Sequence, residues 1–248
     1  MSKIEVQYSQ LSKNHIKFQN WDRERFAKLV EKIDRWFSEL KECRILVYFT
    51  FHSEFIDNAI ATMYPLLYAG SALYEKEDDD DFSSACRSGE FDFAIILKLD
   101  FLEIDEIAQA VNLSHEFQHV LQYSKNKRVY LYGCIVRPLL SDEIPEMDSP
   151  VEYDADKKAK LIAYGMFGRE MVDHWIERNI FKYQQPFFPR FRSISPEEDY
   201  NLEDEVLKLW EEHRVEETIA SLRTRDTLSD DERKILEMYE RANDVNSS

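Results

Sequence analysis

Six residues, Ser114-His115-Glu116-Phe117-Gln118-His119, constrain this chain more than any other stretch of it. They lie inside the run Ile104 to Tyr123, which reads as a helix, and on a helix residues four apart share a face. His115 and His119 can therefore aim their imidazoles at a single ion. Glu116 stands about 100° round the helix from His115, close enough to reach a water held on that ion. Neutral imidazoles are good zinc ligands, and a neighbouring carboxylate can serve as a general base. A zinc site that keeps a position for water needs a third protein ligand.

The segment Pro150-Val151-Glu152-Tyr153-Asp154-Ala155-Asp156 offers one. Pro150 suits the first turn of a helix, and Glu152 and Asp156, four apart, then share a face. Glu152 fits the third ligand position, and Asp156 fits a carboxylate that receives the free N–H of a ligating imidazole and fixes its tautomer. The separation of 152 − 119 = 33 residues leaves room for a strand, a loop and the start of a second helix, so two helices can cross at the metal. Asp154, on another face, is a weaker ligand candidate. His174 lies 174 − 119 = 55 residues beyond His119, about six turns past Glu152 on the same predicted helix, and is read as structural. His52, at the end of a predicted strand, is read the same way.

With H-E-x-x-H at 115–119 and E-x-x-x-D at 152–156, the chain resembles the gluzincin zinc metallopeptidases. The wording S-P-V-E-Y-D-A-D is also similar to the compact, ImmA/IrrE-like branch. The resemblance covers roughly residues 90–165. It implies a zincin-like fold and a Zn2+ cofactor on His115, His119 and Glu152, with Glu116 as the base and Asp156 orienting a ligating His. The activity it implies is that of a zinc metalloendopeptidase, cutting peptide bonds in a protein or peptide substrate. It further implies an edge strand beside the motif helix, supplied by Phe91 to Leu99 or by Val129 to Val136, that pairs with an extended substrate. A group that stabilises the oxyanion is expected among Tyr153, Tyr132 and Arg137, with Tyr130 and Tyr164 also near in sequence. The spacing H-x-x-G-x-x-H is absent, which sets the metzincins aside. An alternative is a catalytically silent zincin-like protein that senses zinc or binds a partner.

Composition narrows the class. With 44% hydrophobic and 13% aromatic residues the chain folds, and only five Gly and seven Pro point to few elaborate loops and a helix-rich fold. With the small sheet that the resemblance implies, the expected class is α+β with a small mixed sheet. A net charge of −17 disfavours nucleic acid and anionic membranes as partners. No apolar run approaches the roughly 20 residues of a membrane span, and the first residues carry no secretory pattern. Cys43, Cys86 and Cys134 are isolated and read as reduced thiols, so the expected compartment is the cytoplasm.

In chain order the pattern predicts a strand at Ile4 to Tyr8 and a helix from about Trp21 to Glu42, capped by Asn20 or Asp22. A strand follows at Arg44 to Phe51, a helix at Asp57 to Tyr68 and a solvated acidic run at Glu75 to Asp81. Further strands are expected at Phe91 to Leu99 and Lys127 to Pro138. An acidic loop at Ser141 to Ser149 leads to a long helix from about Val151 to Tyr183, with a break near Gly165 or Gly168. The expected division is a metallopeptidase domain at 1–195 and a charged helical segment at 196–248 that packs on it or meets a protein partner.

Overall fold

In a computed structural model of the chain, residues 2–8, 15–19, 21–50, 60–66, 82, 84, 88–140, 149–183 and 187–244 are described. His52, Cys86 and the acidic run at Glu75 to Asp81 lie outside them, as does nearly all of the expected loop before Ser149. The fold is α+β, with a small mixed sheet and C-terminal helices. Strands β1 (Lys3–Tyr8), β2 (Arg44–Thr50), β3 (Ala61–Pro65) and β4 (Phe93–Lys98) lie in the order β1-β2-β4-β3. The first, second and fourth are mutually parallel, and β3 runs antiparallel to β4.

β2 and β4 are apolar almost throughout because both faces of the sheet are covered. Ile45, Val47, Phe49, Ile95 and Leu97 face the main core, while Leu46, Tyr48, Ala94 and Ile96 pack with Leu66, Phe82 and Phe91 on the other side. Two helices precede β2: the four-residue α1 (Ile16–Gln19) and α2 (Arg23–Asp34). Asp22 caps α2 by accepting the Arg25 N–H, one of the two caps anticipated. The helix ends eight residues before Glu42. There the Trp36 and Phe37 N–H groups bond three residues back, and the tightened turn drives Phe37 and Leu40 into the core.

The motif helix α3 (Glu106–Lys125), capped by Asp105, runs through the centre of the molecule. It packs against α2, β3 and the later helix α5 (Pro150–Phe167), and most of its residues from Ala110 to Tyr123 are buried. Between them lies α4 (Lys127–Leu139). This corrects the strand expected at Lys127 to Pro138. The alternation of V-Y-L-Y is β-like, but Asn126 accepts the Val129 N–H as a helix cap, and Val129, Tyr132, Ile135 and Val136 then bury together at helical spacing.

A second correction concerns Asp57 to Tyr68: its described middle, Ala61–Pro65, is β3, not helix. Its residues are compatible with either state, and pairing along β4 satisfies backbone groups that β4 would otherwise leave bare. The long helix breaks, as expected, at Gly168, where φ is +85°, giving α5 and α6 (Arg169–Tyr183). After α7 (Phe187–Ser193) come α8 (Leu202–Glu212), α9 (Val215–Arg223) and α10 (Asp230–Asn243). These last three share a core with α4, built from Tyr132, Ile135, Val206, Trp210, Ile219 and Ile235. Among the described residues, no helix is long and apolar enough to cross a membrane.

Candidate metal centre

α3 and α5 cross at the two sequence motifs. His115 and His119 project from α3, one turn apart, and Glu152 comes from the first turn of α5. One ligand atom from each of the three lies within 4.8 Å of the others. The two Nε2 atoms are 2.9 Å apart, and the Glu152 oxygens stand 3.2 Å from His115 Nε2 and 3.6 Å from His119 Nε2. The sequence placed these three residues together, and the fold does so.

What holds the rings decides their chemistry. His115 Nδ1 lies 2.8 Å from Asp156 Oδ1, and an ionised carboxylate can only accept. His119 Nδ1 lies 2.8 Å from Gln122 Oε1. The Gln122 amide is fixed in that sense because its Nε2 donates to the Val151 carbonyl at 2.9 Å and to Asp154 Oδ2 at 2.8 Å. In the neutral rings both protons therefore sit on Nδ1, and both Nε2 lone pairs face Glu152. Three electron-pair donors aimed at one another fit a cation held between them. This donor set could hold a metal ion.

Burial sharpens the electrostatics. Glu116 is 7% exposed, and that burial raises its pKa against the opposing influence of His115 and His119. The backbone of Met63 in β3 also faces this carboxylate and favours its charged form. Burial works to raise the Glu152 pKa too, but the charges and hydrogen bonds of the two imidazoles hold it well below the usual range. For His115, burial lowers the pKa, yet Glu152 and Glu116 outweigh it and the net shift is upward.

The fold separates the candidates for the oxyanion. Tyr153 reaches Glu198 at 3.3 Å and packs on Tyr200. Tyr132 is stacked on Trp210, ring centroids 3.8 Å apart, in the C-terminal core. Tyr164 bonds Asp173 at 2.6 Å. Arg137 comes within 3.7 Å of Glu152 Oε1. Tyr130 packs edge-on to His119, with centroids 5.9 Å apart, and its phenol feels the charges of Glu152 and Glu116. Burial first, then Cys134 and these carboxylates, keeps that phenol protonated. His174 is exposed on α6, away from the cluster.

Two residues, Gln122 and Arg190, were missed as parts of the centre. Gln122 fixes His119, and Asp154, weighed as a weaker ligand candidate, is instead the acceptor that ties Gln118 and Gln122 to α5. Arg190 of α7 pairs with the second oxygen of Asp156. The i, i+3 spacing of His119 and Gln122 was a usable signal; for Arg190, 34 residues beyond Asp156, there was none. No family model, curated protein or solved structure matches the chain.

The edge of the sheet also differs from expectation. β4 is an interior strand and 129–136 is helical, so neither expected segment is an edge. Among the described residues β1 and β3 are the edge strands, and β3 is the one that packs on the motif helix. Ile60 accepts from Lys98 N–H at 3.0 Å and Leu66 donates to Asp92 at 2.9 Å. By antiparallel alternation Thr62 and Tyr64 also face β4, which turns the backbone of Ala61, Met63 and Pro65 away from it. There the Ala61 carbonyl accepts from Thr62 Oγ1 at 2.7 Å and the Met63 backbone faces Glu116. Pro65, which has no N–H, is tolerated at such a position.

Proposed function

We propose that the chain is a zinc-dependent metalloendopeptidase acting on an extended segment of a protein or peptide. The observation that carries this reading is the convergence of both His Nε2 atoms with Glu152, beside a buried Glu116 and, among the described residues, the edge strand β3. Two imidazoles and one carboxylate match the catalytic form of a zinc site, which keeps a position free of protein ligands. Zinc bound there would act as a Lewis acid toward a carbonyl and bring the pKa of a water near 7.

The chain's own residues supply the rest. The outward Ala61 N–H and the Met63 carbonyl pair with the substrate strand, while the Met63 N–H stays on Glu116, and a peptide bond is laid across the site. Glu116 accepts a proton at its carboxylate as the carbonyl is attacked and delivers it to the departing nitrogen. Among the described residues, Tyr130, kept neutral and packed on His119, and Arg137, 3.7 Å from Glu152, are the candidates to steady the developing negative oxygen.

Glu116→Gln tests the assignment because it keeps the size of the side chain and removes the base. The variant should retain one zinc per chain while cleavage of an unstructured peptide mixture, read by mass spectrometry, falls at least about 10²-fold. Undiminished cleavage by this variant would end the mechanism. A wild type that binds zinc and cleaves nothing in such a mixture would favour a silent, partner-binding role.

A further inference from the structure

Asp156 is a junction as well as a partner of His115. It is 1% exposed, and its two oxygens are engaged from different helices: Oδ1 lies 2.8 Å from His115 Nδ1 on α3, and Oδ2 meets Arg190 of α7. A carboxylate held at one oxygen can still swing about its Cβ–Cγ bond. Held at both it cannot, and the plane of the imidazole it supports is fixed with it.

α7 is itself pinned, and by the same face of α5. Lys160 lies four residues after Asp156, so it points the same way one turn along. It is 3% exposed, and its Nζ donates to the carbonyls of Phe191, Arg192 and Ile194 at 2.8, 2.9 and 2.7 Å. All three ammonium hydrogens are thereby used. These carbonyls belong to the end of α7 or just beyond it, where a helix has no internal partners and where a cation opposes its dipole. Phe188 and Phe191 seat the helix against Trp175, Val172 and Ala159. α5 thus grips α7 by the end of its backbone through Lys160 and by the head of Arg190 through Asp156.

A salt bridge serving only to attach α7 could use any carboxylate on α5. This one uses the carboxylate whose other oxygen supports a metal-centre imidazole. We propose that α7 is a positioning clip for the metal centre: Arg190, seated by Lys160, locks the Asp156 carboxylate and through it the His115 ring, and so sets the affinity for zinc. The proposal rests on the zinc reading above. Arg190 and Lys160 are positioning residues and touch neither ion nor substrate in it.

Zinc affinity of the full chain, measured by competition with a chromophoric chelator, tests this without reference to activity. Arg190→Gln should weaken binding roughly 10- to 100-fold, the usual effect of removing a group that orients a metal ligand. Arg190→Lys, which keeps the charge but loses the fork, should fall between it and wild type. Arg190→Gln added to Asp156→Asn should weaken binding no further than Asp156→Asn alone. The visible spectrum of the cobalt(II)-substituted protein should change in the same variants, and circular dichroism verifies that each is folded. Wild-type affinity in Arg190→Gln, or a full second loss on top of Asp156→Asn, overturns the proposal. Should Arg190→Gln not fold, Arg190→Lys decides: a weaker site supports the clip and an unchanged one refutes it. A wild type that takes up no zinc removes the metal-centre reading itself, a result distinct from a variant that matches a zinc-binding wild type.

Discussion

Replacing Gln122 by Leu separates the metal centre from the stability of the fold. Gln122 is 5% exposed and makes three contacts, to His119 Nδ1, the Val151 carbonyl and Asp154. Leu has a similar volume and makes none of them. The Val151 carbonyl keeps its helical bond within α5, and Asp154 keeps Gln118 at 2.6 Å, so neither is stranded. The His119 Nδ1–H is stranded, at a cost of about 1–3 kcal/mol, and burial of the Leu side chain returns about 1 kcal/mol. The net loss of stability is then only about 0–2 kcal/mol in urea unfolding of the metal-free chain. The effect on the ion is larger in consequence, because nothing now keeps the proton on Nδ1 and the Nε2 lone pair toward Glu152. Zinc affinity by chelator competition should fall about 10- to 100-fold, or roughly 1.4–2.7 kcal/mol. Gln122→Glu restores an acceptor for His119 but sets a buried carboxylate against Asp154, so it should destabilise the chain more than Leu does. Wild-type zinc affinity in Gln122→Leu would refute the role given to this amide.

Other consequences follow from the same geometry. A methyl group at Gly133 would lie 2.6 Å from Val151 Cγ1, next to Glu152, so Gly133→Ala forces α4 and α5 apart. Overpacking of about 1–3 kcal/mol against a helix-propensity gain of about 1 kcal/mol leaves a net loss of roughly 0–2 kcal/mol. Weakened zinc binding should accompany it, and a variant more stable than wild type with unchanged affinity would contradict the close approach. Asp92 is bound by the Arg44 side chain and backbone N–H, chiefly the side chain, which lowers its pKa below the unfolded value. Its contribution is therefore present above about pH 4 and lost as pH falls through the folded value. The stability gap between wild type and Asp92→Asn, from urea titrations, should be open at pH 7 and close below about pH 4; a gap that widens on acidification would reverse the assignment.

Local signals were reliable where a segment carried its own reason for its conformation. The motif helix announces itself by the run Ile104 to Tyr123 and the four-residue spacing of His115 and His119, and β2 and β4 by β-branched and aromatic runs covered on both faces. The break at Gly168 is equally local, since a φ of +85° suits a residue without a side chain. Two segments lacked that sufficiency. Lys127–Leu139 has the composition of a strand, yet it is helical because only that spacing buries Tyr132 and Ile135 against Trp210 and Ile219. Ala61–Pro65 fits a helix equally well, and it is a strand because the edge of β4 lies beside it.

The ligand triad was legible in the sequence because each motif is a short-range fact. Four residues on a helix fix the relation of His115 to His119, and of Glu152 to Asp156, whatever surrounds them. Bringing the two pairs within 4.8 Å is compatible with their separation but not required by it; the crossing of α3 and α5 decides it. Asp156, which sets the His115 tautomer, was legible from its spacing, and Gln122 lies within reach of His119 on the same helix; how these groups are themselves held belongs to the tertiary structure. Gln122, Asp154 and Arg190 acquire their roles from contacts across helices, where polar groups removed from water must find partners in whatever the fold places beside them. The sequence by itself determined which atoms can bind an ion. The packing of α5 and α7 around α3 decided which way those atoms point.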